Sequence, residues 1–363
     1  MANIFDYLND VAYDSFYDLP VNELDVLALT ELTYLAFDDV VTQEPQRLID
    51  LAPQIPRDTT MLTNKNRLQL LDQLAQHKRF KNCKLSDFIN DIDPELQKQF
   101  AAMTYRISLD TYLLVFRGTD DSIIGWKEDF HMTYMKEIPA QKHALQYLQD
   151  FFVQYPDQKV ILAGHSKGGN LAVYAASQLD PLLQKNIVAV YTFDAPGLHK
   201  ELTETAGYQN MMERTKVFVP QGSIIGMMLE IPDKKIVVRS TALGGLAQHD
   251  TFSWQVEDKH FVQLDETNSD SQQVDTTFKE WVETVPDTEL QLYFDLFFGI
   301  ILDAGISSIN DLSSFKVIEH IHHLFVQAQS LTPEERETMG RLTQLLIDTR
   351  YQAWKNREYT KTN

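Results

Sequence analysis

Apolar positions along this chain follow two alternating periods. From Leu24 to Ala36 they recur at helical spacing, behind Asn22 as an N-cap. Residues 40–60 carry Pro45, Pro53 and Pro56 and read as irregular, and Leu68, Leu70, Leu71 and Leu74 predict a second helix. Phe100 to Ile107 and Thr111 to Phe116, parted by Leu109-Asp110, predict a β-hairpin. Ala144, Leu145, Leu148, Phe151 and Phe152 predict a helical crossover, and Val160 to Ala163 a buried strand. Further strands are expected at Ile187–Phe193, Thr215–Val219 and Ile236–Arg239. Strands alternating with helices favour a mostly parallel sheet flanked by helices. No internal repeat or low-complexity linker interrupts the pattern.

Beyond about residue 270 the pattern is helical alone. Phe278, Trp281 and Val282, then Leu290 to Ile300, then Val317, Ile318, Ile321 and Leu324, and finally Met339, Leu342, Leu345 and Leu346 form amphipathic sets. Thr332-Pro333-Glu334-Glu335 is a helix start, with threonine as the cap and proline in the first turn. The chain is thus divided into a lead over 1–24, an α/β core over 25–268 and a helical appendage over 269–363. The appendage is expected to pack beside the sheet. Its stripes serve its own core, or else wall an acyl pocket, act as a lid or pair two copies.

The chemistry concentrates at Gly164-His165-Ser166-Lys167-Gly168, where the buried strand ends and Leu171, Ala172, Ala175, Ala176 and Leu179 begin a helical face. A serine on a strained strand-to-helix turn projects its hydroxyl from the sheet as a nucleophile, and the flanking glycines let strand and helix close around it. Amides at the start of the following helix favour an oxyanion. Ser166 is therefore the candidate nucleophile, and His165 a residue packed beside the turn, with substrate binding as its other role. The strand Thr111–Phe116 ends in Arg117-Gly118-Thr119, so the Thr119 amide, with its hydroxyl as a second donor, and the Lys167 amide are the candidate oxyanion hole. Asp194 ends the strand Ile187–Phe193 and is the candidate acid; its other role is to cap its own loop. Of the six histidines after Ser166, His249 in Leu246-Ala247-Gln248-His249-Asp250 is the candidate base, because Gly244-Gly245 lets its loop return to the sheet edge. His199 is too near Asp194 in sequence to complete the same triad, and His260 is next in line. His320, His322 and His323 lack any metal-ligand pattern and read as a solvated helix face. Ser223-Ile224-Ile225-Gly226-Met227-Met228-Leu229 is either a short buried helix or, through Ser223, Ile224 and Met227, part of an acyl-binding cleft.

Phe-Arg-Gly-Thr at 116–119, Trp126, Asp129, Gly-His-Ser-Lys-Gly-Gly at 164–169 and Thr-Phe-Asp-Ala-Pro-Gly at 192–197 resemble the class 3 triacylglycerol lipases. They resemble more closely a bacterial family of lipase-like α/β-hydrolases with no assigned function. The resemblance covers roughly residues 25–265 and implies an α/β-hydrolase fold and a serine-esterase mechanism, with His249 at the family's histidine. It departs in two places. Lys167 stands where those lipases carry an apolar residue, and Pro220-Gln221-Gly222-Ser223 follows the strand where they place their acid. Other lipases of this fold carry the acid one strand earlier, at the position of Asp194. Asp194, Ser223 as a polar substitute, and a dyad with no acid all stay open.

Composition narrows the partners. With 363 residues and 44% hydrophobic content the chain can bury a large core. A formal charge of −20, from 52 acidic and 32 basic residues, argues against nucleic acid and against purely electrostatic docking on anionic lipid. The single cysteine, Cys83, fits a reducing, cytoplasmic compartment, and the N-terminus shows no signal peptide. The longest apolar run, Leu296 to Leu302, is far below the ~20 residues of a membrane helix. The expectation is a carboxylic ester or thioester hydrolase acting on a small acyl ester without metal or cofactor. A non-catalytic binding protein on a hydrolase scaffold, and a serine peptidase or acyltransferase, are the alternatives.

Overall fold

The computed structural model describes residues 1–59, 63–93, 95–120, 123–232, 234–306 and 327–361. Among these residues eleven strands follow in chain order: β1 (Gln46–Arg47), β2 (Lys84–Asp93), β3 (Lys98–Arg106), β4 (Thr111–Phe116), β5 (Lys159–His165), β6 (Ile187–Phe193), β7 (Thr215–Pro220), β8 (Lys235–Val238), β9 (Val256–Glu257), β10 (His260–Phe261) and β11 (Gln263–Leu264). All but the small β9–β10 pair form one sheet in the order β1-β2-β3-β4-β5-β6-β7-β8-β11. The strands from β4 to β8 run parallel, and β1 to β3 and β11 extend the sheet antiparallel at its two ends.

The central strands are apolar on both faces because both are covered, as parallel strands require. Leu113, Val115, Ile161 and Ala163 point into one core with the helices Ile4–Asp10, Glu23–Leu32 and Asn64–Gln76. Tyr112, Leu114, Phe116, Val160 and Leu162 alternate to the other, against the helices Pro139–Gln154, Lys167–Gln178 and Ala206–Met212. The fold is thus a mostly parallel sheet covered by helices on both faces, followed by C-terminal helices. Asn22 caps its helix as expected, in a reciprocal box with Asp25, but that helix stops at Leu32. The lead contributes Ile4, Tyr7 and Leu8 to the first core.

Two readings change. Strand β2 escapes the sequence pattern because a bulge between Ser86 and Ile89, with Asp87 at φ 56°, breaks the two-residue period. Within 40–59, β1, the one-turn helix Leu48–Leu51 and a 3-10 turn at Ala52–Gln54 replace the irregular segment. The appendage helices Ser269–Thr284, Asp287–Asp303 and Pro333–Lys361 do form, and Thr332 and Glu335 exchange capping hydrogen bonds. Their core, with Trp281, Leu290, Phe294 and Phe298, seats on Ile123, Trp126 and Phe130 of the helix Ile123–His131, while the Ser271 hydroxyl donates to Ser223 O just past the end of β7. Val317, Ile318, Ile321, Leu324 and the cluster His320, His322 and His323 lie outside the described residues.

Candidate active site

The turn after β5 shows why its glycines are needed. Ser166 sits at φ 57°, ψ −137°, a region an L-residue enters only when its surroundings impose it. A Cβ on Gly164 would lie 2.0 Å from the Gly168 carbonyl carbon, and one on Gly168 would lie 2.0 Å from the Phe116 oxygen. Strand, turn and helix can close only with hydrogen at both positions. The Ser166 amide donates to Phe193 O at 3.0 Å, tying the turn to β6. Lys167 opens the following helix, so its amide has no intrahelical acceptor.

Asp194 is fully buried at the end of β6, with φ 45°, and its amide donates to Phe218 O at 2.8 Å. Its Oδ2 accepts a 2.6 Å hydrogen bond from His249 Nδ1. Its Oδ1 accepts from the Gly226 amide at 3.1 Å and from the Ser223 hydroxyl. Among the three alternatives for the acid, Asp194 is thus the group that meets the imidazole. Ser223, from the end of the next strand, does not stand in for it but orients it.

His249 is carried by a short helix, Gly245–Gln248, entered through Gly244 at φ 87°. Gln248 anchors that loop: its Oε1 accepts from the Gly222 amide at 2.8 Å, and its carbonyl accepts from Trp254 Nε1 at 2.8 Å. The His165 ring lies 4.4 Å from that of His249, centroid to centroid, and His165 Nε2 donates to His249 O at 3.0 Å. This leaves His165 Nδ1 to accept from the Tyr34 hydroxyl at 3.2 Å, while Tyr34 in turn accepts from the Gly118 amide at 3.1 Å. Burial, reinforced by His249, pushes His165 well below the usual histidine range and keeps it neutral. His165 therefore packs beside the turn, as expected, and also links the base loop to the oxyanion strand. Tyr34 was legible only as one position of the 24–36 pattern.

Ser166, His249, Thr119, Trp126, Tyr34 and Leu246 line one cavity of about 400 Å³ with mostly apolar walls. Among the described residues no hydrogen bond joins Ser166 Oγ to the imidazole; such contacts often tighten only with substrate. Two expectations fail here. The Thr119 hydroxyl is not a free second donor, because it donates to Asp129 Oδ2 at 2.6 Å, which leaves the amide. Ser223, Ile224 and Met227 do not line the cavity: Ser223 is buried on Asp194, and Ile225–Met227 is a 3-10 turn behind it, with Met227 buried. His260 binds Glu23 at 2.7 Å, and His199 lines a different cavity.

Beneath the candidate oxyanion hole lies a buried charge cluster. Lys167 Nζ donates to Glu128 Oε2 at 2.8 Å and to Gln99 O at 3.0 Å, and lies 3.8 Å from Asp129 Oδ1. Burial alone would lower Lys167, but Glu128 and Asp129 outweigh it and hold the ammonium above its usual range. Burial raises Asp129 to about 6 against the opposing pull of Lys167 and the Thr119 hydrogen bond.

The Mbeg1-like family model matches residues 74–299, more than half of the chain. No curated protein matches. Solved structures similar to this chain include the mono- and diacylglycerol lipase from Aspergillus oryzae, at 16% identity and TM-score 0.41, covering 68% of this chain and 87% of the lipase. A lipase from Rhizopus microsporus var. chinensis aligns at 17% identity and TM-score 0.39, over 69% of this chain and 80% of its own. Lipase II from Rhizopus niveus aligns at 16% identity and TM-score 0.36, over 66% and 83%.

Proposed function

The chain belongs to the Mbeg1-like family of lipase-like α/β-hydrolases, and we propose that it is a serine hydrolase of carboxylic esters or thioesters. The observation that carries this reading is the 2.6 Å bond from His249 to buried Asp194, with His249 and strained Ser166 on the wall of one cavity. In the proposed cycle Ser166 Oγ attacks the acyl carbonyl while His249 Nε2 takes its proton. Asp194 holds the imidazole in the tautomer with Nδ1 protonated and stabilises the imidazolium. The amides of Thr119 and Lys167 receive the oxyanion, a contribution of about 3 kcal/mol per donor in related sites. His249 returns the proton to the leaving alcohol or thiol, and water then releases the acid by the reverse sequence.

Trp126, Tyr34 and Leu246 favour an apolar acyl group in the cavity. Among the described residues no helix is long and apolar enough to cross a membrane. We assign the enzyme to a reducing, cytoplasmic setting on the single cysteine, Cys83. Fluorophosphonate labelling read by intact mass tests the whole reading. One adduct on the folded wild-type protein, none on Ser166→Ala, and turnover of short-chain p-nitrophenyl esters are expected. An unlabelled, inactive wild type would leave a non-catalytic scaffold.

A further inference from the structure

We propose that the Lys167 side chain is a positioning residue, which clamps the helix Ile123–His131 to the nucleophile turn and keeps Asp129 in place to hold Thr119. The inference rests on the hydrolase reading above and adds a role for the side chain of a residue whose amide alone was assigned.

The geometry joins three elements through one ammonium. Lys167 leaves the first position of the helix after Ser166 and is 1% exposed. It reaches Gln99 on β3, through both the backbone carbonyl and Oε1, and Glu128 on the helix Ile123–His131. Glu128 is fully occupied: Oε2 also accepts from the Gln99 amide at 3.0 Å, and Oε1 from the Ala140 amide at 3.2 Å. Asp129 differs. Its Oδ2 takes the Thr119 hydroxyl, whereas its buried Oδ1 has no hydrogen-bond partner among the described residues, and the Lys167 ammonium lies 3.8 Å from it.

Two adjacent carboxylates in a buried site repel each other and would repel an oxyanion forming at Thr119. A buried cation bonded to one and facing the other offsets that repulsion. It also keeps Asp129 available as a charged acceptor, the stronger kind, for Thr119. An apolar residue at 167 could do neither here, because Glu128 and Asp129 would be left buried without a counter-charge. The groups facing Asp129 are Lys167, Thr119, Glu128 on its own helix and His249 from the base loop, so its titration reports on this cluster.

The test is the pH dependence of fluorophosphonate labelling and of p-nitrophenyl butyrate hydrolysis in folded variants. Lys167→Met should lower kcat at least tenfold with KM changed less than threefold, and should move the acid limb to higher pH. Lys167→Arg, which keeps the charge, should retain the wild-type limb. Asp129→Asn should remove the part of the limb near pH 6, and adding Lys167→Met to it should shift the limb no further. If Lys167→Met does not fold, Asp129→Asn still decides: an unaltered acid limb overturns the proposal. Wild-type protein that labels normally beside a folded Lys167→Met with unchanged kcat and limb also overturns it. Wild-type protein that never labels fails the hydrolase reading itself, and this inference falls with it.

Discussion

His249 and Ser223 bind opposite oxygens of the Asp194 carboxylate, Nδ1 to Oδ2 at 2.6 Å and the hydroxyl to Oδ1. The two partners should therefore differ sharply under mutation. Asp194→Asn removes the charge that fixes the imidazole tautomer and should cost about 10⁴ in kcat. Ser223→Ala leaves Oδ1 its Gly226 amide and should cost about tenfold or less. Both rates need melting curves beside them, since Asp194 also anchors its own turn. A folded Asp194→Asn enzyme with normal turnover would reverse the assignment.

The two remaining candidates for the base are separated by their partners. His249→Ala should lose several orders of magnitude in kcat while staying folded, because no other described histidine pairs with Asp194. His260→Ala breaks only the contact with Glu23 and should keep near wild-type kcat. Equal losses in the two variants would count against His249.

Tyr34→Phe tests the link between oxyanion strand and base loop. It strips the Gly118 amide and His165 Nδ1 of one shared partner in a buried site. A loss of about 1–3 kcal/mol in denaturant stability is expected, with the m-value unchanged, together with reduced kcat. No change in either quantity would mean the hydroxyl bears no part in the site.

Gly168→Ala should abolish the active turn. The added Cβ meets backbone atoms of β4, which cannot rotate away. The expected cost is at least the ~1–3 kcal/mol typical of core overpacking, with no fluorophosphonate adduct. Normal labelling of this variant would show that the turn tolerates side chains.

The raised Asp129 carries a stability signature. The folded chain holds that proton up to about pH 6, whereas an unfolded aspartate releases it near ~4. The folded state therefore binds more protons in this window, and the group's contribution is full below ~4 and lost as pH rises through about 6. Asp129→Asn cannot titrate, so its stability relative to wild type should improve from pH 4 to pH 7. A difference that stays constant across that range would contradict the assignment.

Much of this site was legible in the chain. Gly164, Ser166 and Gly168 could be read as a strained turn because Gly164 closes on the backbone of Gly168 only four residues on, although the Gly168 contact with Phe116 of β4 is a tertiary one. The alternation of strands and helices was legible for the same reason, since each element's period reports the face it buries. Strand β2 was not, because its bulge erases that period. The partnership of Asp194 with Ser223, 29 residues on, was also hidden, because it depends on two strand ends lying side by side. Lys167 is the clearest contrast. Its sequence shows only a charge in place of an apolar residue, and charge at one position says nothing of what will surround it. Burying it became tolerable once β3 and the helix Ile123–His131 converged with Gln99 and Glu128, acceptors 68 and 39 residues away, because a buried ammonium is stable only among partners that the folded chain brings to it.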